Sequence, residues 1–304
     1  MGRRSLSLRH PSSARHAMTS SSMSIGIVQC ALGDAREQNV ERVETWIREA
    51  ADRGAQIVLT PELFEGPYFP QTEDERAFDS AAPLDGHPTV ARMQALAAEL
   101  GVVLPVSFFE RAGQSYYNSV VMIDADGMPL GIYRKSHIPD GPGYEEKFYF
   151  RPGDTGFQVW KTRHGSVGVG ICWDQWFPEA ARSMALQGAE VLLYPTAIGT
   201  EPQAPDDDTR APWQRVMVGH AVANAMPIAA SNRVGTEGGL TFYGSSFVCD
   251  QRGDMRVELG RDEEGVAVAA FDREALRRYR ANWGFFRDRR PDLYSRLTGD
   301  EPVD

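Results

Sequence analysis

One cysteine of this 304-residue chain lies where a thiol could act as a nucleophile. Cys172 ends an apolar run of strand length and comes shortly before Pro178, a residue suited to the first turn of a helix. Helix-terminal amides and a nearby cation can favour a thiolate at such a turn. A lone cysteine is nevertheless more often a buried strand residue, which is our interpretation of Cys30 and Cys249.

Two further segments carry the groups that a thiol needs in order to attack an amide. The reaction requires a base, and it requires positive charge where the oxyanion develops. Glu62 follows a buried apolar run and Pro61, and Lys135 follows another such run. If these strand ends converge, a carboxylate, an ammonium and a thiol meet in one site. The alternative is a structural ion pair or a set of solvated loop charges.

The histidines offer a second way to activate a thiol, because Cys–His pairs are common in thiol enzymes. His137 lies two residues after Lys135 and could line a pocket, whereas His220 falls on the apolar side of a predicted helix and is interpreted as a core residue. The Cys-Gly-x-Cys-Trp signature of papain-like proteases is absent from the sequence. A protease of that kind is therefore a poor alternative.

Composition excludes several classes of function. The 42 acidic and 32 basic residues give a net charge of −10, which disfavours nucleic acid as a partner and favours cationic ligands. Three cysteines without CxxC or HxxxH spacing predict neither a disulfide framework nor a zinc site, so a reducing, cytoplasmic location is expected. No apolar run approaches the roughly 18 to 20 residues of a membrane helix, so no membrane association is predicted.

The first 23 residues differ from the rest of the chain. They contain four Arg, seven Ser and no acidic residue, which is typical of a leader or a disordered segment. No Gly/Ser-rich or Pro-rich linker divides residues 24–304, so we predict a single domain there, with a C-terminal tail from about residue 283.

Apolar periodicity predicts strands that alternate with helices, an α/β arrangement. Helices cover only part of the sequence in each half, which favours two stacked sheets covered by helices on their outer faces. Helices are predicted at 40–51, 88–100, 178–187 and 210–225, and strands at 25–30, 56–60, 102–109, 119–123, 130–134, 157–162, 167–171, 190–195, 227–231, 244–249 and 266–271.

Three motifs together resemble the nitrilase, or carbon-nitrogen hydrolase, superfamily. They are residues 61–64 (PELF), 133–135 (YRK) and 170–174 (GICWD). The resemblance implies a four-layer α-β-β-α sandwich of two mixed sheets, with a catalytic triad of Glu62, Lys135 and Cys172. It also implies a supporting glutamate, which matches Glu146 although the neighbouring Glu145 leaves the choice open.

The same resemblance implies acyl transfer without a metal or an organic cofactor. Lys135 and the backbone N–H of Trp173 would stabilise the oxyanion. Family members are usually homo-oligomers, which implies dimers formed through the helices after Cys172 and around residues 210–225. The tail would then cross to a neighbouring subunit.

A narrower likeness concerns members that remove a carbamoyl group from an alkylamine. It rests on residues 63–69 (LFEGPYF), 135–144 (KSHIPDGPGY), 174–182 (DQWFPEAAR) and 197–202 (AIGTEP). The implied substrate is a small cationic carbamoyl-amine, so its ammonium needs a carboxylate. Glu201 is the candidate for that contact, and Tyr68 and Asp140 are candidate pocket walls. The alternative for each is a solvated loop side chain.

Two rival functions remain open from the sequence. A beta-ureidopropionase or omega-amidase would use the same triad on a substrate bearing a carboxylate, and its pocket should hold Arg or Lys in place of Glu201. A catalytically silent protein could instead use the fold as an assembly surface. The intact set of Glu62, Lys135 and Cys172 argues against that second rival.

Overall fold

Fourteen strands and six helices lie within residues 22–299, the part of the chain that the computed structural model describes. In chain order they are β1 Ser22–Gln29, α1 Arg36–Asp52, β2 Ile57–Leu59, α2 Pro88–Leu100, β3 Leu104–Ala112, β4 Ser115–Ile123, β5 Pro129–Arg134, α3 Glu146–Tyr149, β6 Val159–Thr162, β7 Gly165–Val169, α4 Pro178–Leu186, β8 Val191–Pro195, α5 Arg210–Asn224, β9 Ile228–Ser231, β10 Val234–Glu237, β11 Leu240–Tyr243, β12 Phe247–Cys249, β13 Met255–Glu258, β14 Gly265–Asp272 and α6 Arg273–Trp283.

The first sheet has the order β14-β1-β2-β3-β4-β5. β1 pairs antiparallel with β14 and parallel with β2, and β3, β4 and β5 form an antiparallel meander. The two groups of strands join where Val58 N–H donates to the Val103 carbonyl (3.0 Å) and Val103 N–H donates to the Gln56 carbonyl (2.9 Å). The sheet therefore continues from β2 into β3.

The second sheet has the order β13-β12-β9-β8-β7-β6. Its three central strands β7, β8 and β9 run parallel, while the outer pairs are antiparallel. A short 3-10 turn at Cys172–Trp176 and helix α4 form the connection from β7 to β8. Central parallel strands buried on both faces require such crossover helices.

Apolar packing arranges the sheets and helices in four layers. Ile25 and Met122 of the first sheet pack against Val169 and Leu193 of the second. Helices α1 and α2 cover the outer face of the first sheet, and α4 and α5 cover the outer face of the second. The predicted α-β-β-α sandwich is thus confirmed.

The elements place the candidate residues at strand ends. Glu62 follows β2, Lys135 directly follows β5, and Cys172 comes three residues after β7. Two of these strands belong to the first sheet and one to the second. The stacking of the two sheets therefore brings these three side chains, from distant parts of the chain, to one edge of the sandwich.

The ordered domain begins earlier than the predicted boundary after residue 23. Ser22 and Met23 belong to β1, where they pair with Asp272 and Phe271 of β14. Met23 is fully buried in the core between the sheets. The prediction of a leader or disordered segment is wrong for these two residues, and its remainder, residues 1–21, lies outside the described residues.

Sequence periodicity missed β10, β11, β13, α3 and α6. Only Leu276 of α6 is buried, although Leu276, Tyr279 and Trp283 recur at helical spacing along the sequence. The residue types at both helix ends were a further signal in the sequence. The Asp272 carboxylate accepts from the N–H groups of Glu274 and Ala275, and Gly284 at φ +68 ends the helix. The tail that was predicted from about residue 283 begins where α6 ends.

No helix within residues 22–299 combines the length and apolar character needed to cross a membrane. In the same part of the chain, no cluster of three His, Cys, Asp or Glu residues is arranged to hold a metal ion. All three cysteines are buried free thiols. Cys30 and Cys249 are both buried in the core as interpreted; Cys249 ends β12, whereas Cys30 lies directly after the end of β1.

Candidate active site

The Lys135 ammonium lies between two carboxylates in the interior of the protein. Its Nζ is 2.9 Å from Oε1 of Glu62, and it is 2.9 and 2.7 Å from the two carboxylate oxygens of Glu146. All three side chains have 0 % exposure. The three side chains therefore form a closed charge cluster without solvent exposure.

The pKa values of Lys135 and Glu146 in this cluster are shifted, because one ammonium lies between two carboxyl groups. Burial disfavours the ammonium, yet Glu146 and Glu62 together hold the pKa of Lys135 above its ordinary value. Burial also raises the pKa of Glu146 to about 7, although Lys135 opposes that rise. Lys135 therefore stays a cation near neutral pH, whereas Glu146 takes up a proton at a higher pH than an ordinary glutamate.

The structure assigns the supporting contact to Glu146 rather than to Glu145. Glu146 is the first residue of the short helix α3, and its carboxylate holds Lys135. Glu145 precedes the helix, and its N–H donates to the Pro70 carbonyl (2.6 Å).

Glu62 is fixed at one oxygen and free at the other. Oε1 accepts from Asn118 Nδ2 (2.6 Å) as well as from Lys135. Oε2 is buried and has no hydrogen-bond partner among the described residues. Because an unpaired buried oxygen is costly, this atom has spare capacity to accept a proton. Sequence reasoning missed Asn118, whose only signal was an amide beside the apolar run of β4.

Cys172 and Glu62 contact neighbouring residues of one segment after β8. The Cys172 thiol lies 3.8 Å from the Ala197 carbonyl, and the Glu62 N–H donates to the Thr196 carbonyl (3.3 Å). Cys172 has φ +41, a left-handed conformation that is rare for a residue with a side chain. The thiol, carried by the second sheet, interacts electrostatically with Glu62, Lys135 and Glu146 of the charge cluster.

The thiol is neutral in the free protein. Burial raises the pKa of Cys172 well above its ordinary value, and Glu62 adds to the rise while Lys135 opposes it. A neutral thiol needs a base at the moment of attack. The arrangement therefore favours proton transfer during the reaction over a thiolate formed in advance.

Asp174 braces the turn that carries the cysteine. Its carboxylate accepts from the Ile171 N–H (2.9 Å) and the Tyr133 hydroxyl (2.7 Å), and it lies 2.7 Å from Nδ1 of His137. The His137 ring also stacks on Phe177 at 3.6 Å. His137 thus contacts Asp174 and Phe177, and among the described residues no hydrogen bond joins its ring to the Cys172 thiol.

His220 has the structural role predicted for it. Its side chain is buried in α5, with Nε2 2.9 Å from the Gln175 carbonyl. Within the described residues, no hydrogen bond joins a histidine ring to Cys172.

Tyr68 belongs to the charge cluster as well as to an apolar wall. Its hydroxyl donates to Oε1 of Glu146 (2.6 Å), and burial raises the pKa of the phenol. Its ring packs with Ala197 and Phe242. The predicted wall residue is thus also a support for Glu146.

Glu201 and Tyr144 form the polar surface beyond the cysteine. Glu201 is half-buried, and burial raises the pKa of its carboxyl group, with Asp207 adding to the rise. The Tyr144 hydroxyl accepts from the Gly199 N–H (3.0 Å) and donates to the Thr200 carbonyl (3.2 Å). Burial raises the pKa of Tyr144, and electrostatic interactions with the Glu201 carboxylate and the ionisable Cys172 thiol add to that rise. Tyr144 therefore lies within electrostatic reach of both residues.

Asp140 is not brought to this cluster. It is exposed, and its carboxylate lies 4.0 Å from the Lys147 ammonium. Trp173 follows the nucleophile candidate in the 3-10 turn, and its side chain is partly exposed.

Comparison with known proteins gives a family and several well-covered relatives. The sequence profile described as Carbon-nitrogen hydrolase matches residues 24–281. The chain is 56 % identical over 292 residues to an N-carbamoylputrescine amidase of Solanum tuberosum, covering 92 % of this chain and 97 % of the relative. It is 52 % identical over 277 residues to a citrullinase of Francisella tularensis, covering 90 % and 97 %.

Solved structures show the same architecture. A carbon-nitrogen hydrolase of Helicobacter pylori G27 superposes with a TM-score of 0.87 at 40 % identity, covering 92 % of this chain and all of that one. An amidase of Nesterenkonia sp. AN1 superposes with a TM-score of 0.76 at 28 % identity, covering 90 % and 96 %. That amidase was crystallised with an acetamide moiety added covalently at its active-site cysteine.

Removal of the Lys135 side chain should destabilise the fold in a pH-dependent way. Lys135→Ala leaves the buried carboxylates without their cation, a loss that costs about 3–5 kcal/mol. The pKa of Glu146, already raised to about 7, should rise further because Lys135 no longer lowers it. A raised carboxyl pKa favours the folded state only while the group is protonated. Urea unfolding should therefore show a larger loss at pH 8 than at pH 5.

Lys147→Ala is the matched control, because the Lys147 ammonium is mostly exposed and its nearest carboxylate oxygen, on Asp140, is as far as 4.0 Å away. Its stability should match that of the unmodified protein at both pH values. An equally small loss for Lys135→Ala would contradict the closed charge cluster.

Proposed function

Because the chain belongs to the carbon-nitrogen hydrolase family, we propose that it hydrolyses N-carbamoylputrescine to putrescine, carbon dioxide and ammonia. The observation that carries the reaction type is the buried Lys135 ammonium, held by Glu62 and Glu146 beside the neutral thiol of Cys172. The substrate follows the activity named for the Solanum tuberosum relative, which the chain matches over almost its whole length.

In the proposed first half-reaction, Cys172 attacks the carbamoyl carbon. The unpaired Oε2 of Glu62 accepts the thiol proton as the carbon–sulfur bond forms. The Lys135 ammonium and the backbone N–H of Trp173 stabilise the oxyanion. Glu62 then returns the proton to the departing nitrogen as the carbon–nitrogen bond breaks, which leaves a thiocarbamate, the carbonyl with its remaining nitrogen, on the sulfur of Cys172.

In the second half-reaction, water cleaves the thiocarbamate. Glu62 takes a proton from the attacking water, and the thiol recovers a proton as the carbon–sulfur bond breaks. The carbamic acid that is released decomposes without help. Lys135 keeps its proton throughout, because the two carboxylates hold its pKa above the ordinary value.

Glu201 is the proposed partner of the substrate ammonium. It is half-buried, and Gln203 Nε2 donates to its Oε2 (3.0 Å). Burial and Asp207 raise the pKa of Glu201, so its ionised form is destabilised in the free protein. A bound ammonium relieves that cost through a charge-assisted hydrogen bond. Tyr144, whose ring packs against Tyr68 with the centroids 5.8 Å apart, is proposed to form one wall for the alkyl chain together with Tyr68.

Citrulline is the second candidate substrate, because the Francisella tularensis relative is named a citrullinase. Citrulline has the same carbamoyl-amine end, but it carries a carboxylate on the carbon that bears its ammonium. Within the described chain no basic side chain pairs with Glu201, and the nearby charge acting on it is the acid Asp207. This environment favours a diamine-derived substrate over an amino acid. It also disfavours the carboxylate-bearing substrates of a beta-ureidopropionase or omega-amidase.

We propose that the protein acts in the cytoplasm, which its free buried cysteines support. We also propose a homo-oligomer built from dimers. Leu186 of α4 and Val222 of α5 are exposed beside the exposed tail residues Tyr294 and Leu297, where they line one groove. Contiguous exposed apolar surface of this kind is typical of subunit interfaces.

A substrate panel tests the proposed reaction. Ammonia release should be faster from N-carbamoylputrescine than from citrulline or N-carbamoyl-beta-alanine at equal concentration. Cys172→Ser should lose at least about 100-fold in turnover, the usual cost of removing a reacting or stabilising group. A preference for N-carbamoyl-beta-alanine would end the substrate claim, and full activity of Cys172→Ser would end the mechanism.

The pH dependence of KM tests Glu201. Its raised pKa means that the carboxyl group takes up a proton at a higher pH than an ordinary glutamate. KM for N-carbamoylputrescine should therefore rise as the pH falls through that pKa. Glu201→Gln should raise KM about 10- to 100-fold at neutral pH and remove this dependence, because a hydrogen bond to a charged group contributes about 1.5–3 kcal/mol.

The control for Glu201→Gln is Asp206→Asn, which removes an exposed acid from the same loop. Equal effects of the two substitutions would mean that general negative charge, and not a contact at Glu201, binds the ammonium.

Sedimentation velocity tests the oligomer. The protein should sediment as a dimer or a larger species, and Leu186→Glu combined with Val222→Glu should dissociate it. Met128→Glu, at an exposed position in the turn between β4 and β5, should leave the assembly unchanged. A monomer before any substitution would contradict the proposal.

A further inference from the structure

The backbone beside Glu62 is strained. Leu63 has φ +49, a left-handed conformation that is unfavourable for a residue with a side chain. Such a turn persists only when its surroundings hold it. The turn decides the direction of the Glu62 side chain, so whatever holds the turn also places the proposed base.

Arg233 and Ser107 hold this turn from opposite sides. Nη2 of Arg233 donates to the carbonyls of Glu62 (2.7 Å) and Leu63 (3.1 Å), and Nη1 donates to the Gly66 carbonyl (3.3 Å). The Leu63 N–H donates to the Ser107 hydroxyl oxygen (2.9 Å). Arg233 and Ser107 are both fully buried.

Glu237 balances the buried charge and links it to the second carboxylate. Both of its oxygens lie 2.9 Å from Nη1 of Arg233, and Oε2 also accepts from the Tyr68 N–H (2.6 Å). The Tyr68 hydroxyl in turn donates to Glu146. One ion pair therefore ties the backbone of Glu62 to the residue that supports Glu146, on the two sides of Lys135.

Stability alone does not explain a buried ion pair at this place. Well-packed apolar residues in place of such a pair are often neutral or more stable, and Nε of Arg233 has no partner in the described chain. The guanidinium is instead suited to fixing the positions of backbone carbonyls, because its planar, forked group can bind several of them at fixed angles. An ammonium on a flexible stem cannot do this.

We propose that Arg233 is a positioning residue for the hydrolysis, acting with Ser107 on the Glu62–Leu63 turn. Its fork keeps the Glu62 carboxylate on Lys135 and directed at the proton of Cys172. This inference rests on the proposed function, since it concerns the same base and thiol.

Arg233→Lys tests the inference, because it keeps the charge that balances Glu237 and removes the fork. We expect kcat for N-carbamoylputrescine to fall about 10- to 100-fold, the scale of losses from a misplaced reacting group. KM should stay unchanged, since no hydrogen bond joins Arg233 to Glu201. Alkylation of Cys172 by iodoacetamide should slow in parallel with kcat, because it needs the same proton transfer.

The matched control is Arg273→Met. Arg273 forms a two-bond ion pair with Glu190 (3.0 and 2.7 Å) at the start of α6, away from the Glu62 turn. Loss of this ion pair should lower the free energy of unfolding and leave both kcat and the rate of Cys172 alkylation unchanged. A folded Arg233→Lys protein with unaltered kcat, or with kcat lowered no more than in Arg273→Met, would overturn the inference.

Ser107→Ala decides the question if Arg233→Lys does not fold. It removes only the acceptor for the Leu63 N–H, and it should lower kcat at constant KM. Unaltered kcat in that variant would overturn the inference. Failure of the proposed function would look different, since the unmodified protein would then release no ammonia from N-carbamoylputrescine.

Discussion

A buried ammonium between two carboxylates is the interaction on which the rest of this structure depends. Lys135 is enclosed by Glu62 and Glu146 with no exposure to solvent. Desolvating three ionisable groups is expensive, and only close, well-directed hydrogen bonds offset the cost. The distances of 2.7 to 2.9 Å meet that condition. The fold must therefore deliver three side chains from separate segments with little positional error.

The surrounding elements serve this requirement. Glu62 and Lys135 come from strand ends of one sheet, and Cys172 comes from a strand end of the other. Leu63 and Cys172 have left-handed conformations at the turns that carry the proposed base and the proposed nucleophile. Each turn is held by a buried ionic group: Arg233 holds the first and Asp174 holds the second. Strain and buried charge thus concentrate around the site, as is common where chemistry requires fixed geometry.

The sequence was sufficient to predict the layers and the reacting groups. Apolar periodicity records which face of a helix or strand is buried, and this determined the sandwich. By spacing alone, Glu62 and Lys135 could have been solvated loop charges and Cys172 a buried strand cysteine; the resemblance of their three motifs to one family implied the triad. Helix α6 was missed although Leu276, Tyr279 and Trp283 recur at helical spacing, because three apolar residues in an otherwise charged segment make a short pattern.

The supporting residues were harder to find. Asn118 and Arg233 lie in or beside apolar strands, and their partners are distant in sequence or are backbone carbonyls. A single sequence carries no signal for such contacts. Similarly, nothing in the residue types showed that Asp140 would lie at the surface beside Lys147, or that His137 would pair with Asp174.

A crystal structure of Cys172→Ala with N-carbamoylputrescine bound tests the central claim most directly. The account predicts that the carbamoyl carbon faces the side chain at position 172, with its oxygen on Nζ of Lys135 and Oε2 of Glu62 directed at the same place. The far ammonium should lie against Glu201. A carbamoyl group bound away from Lys135, or a substrate in the reverse orientation, would contradict the account.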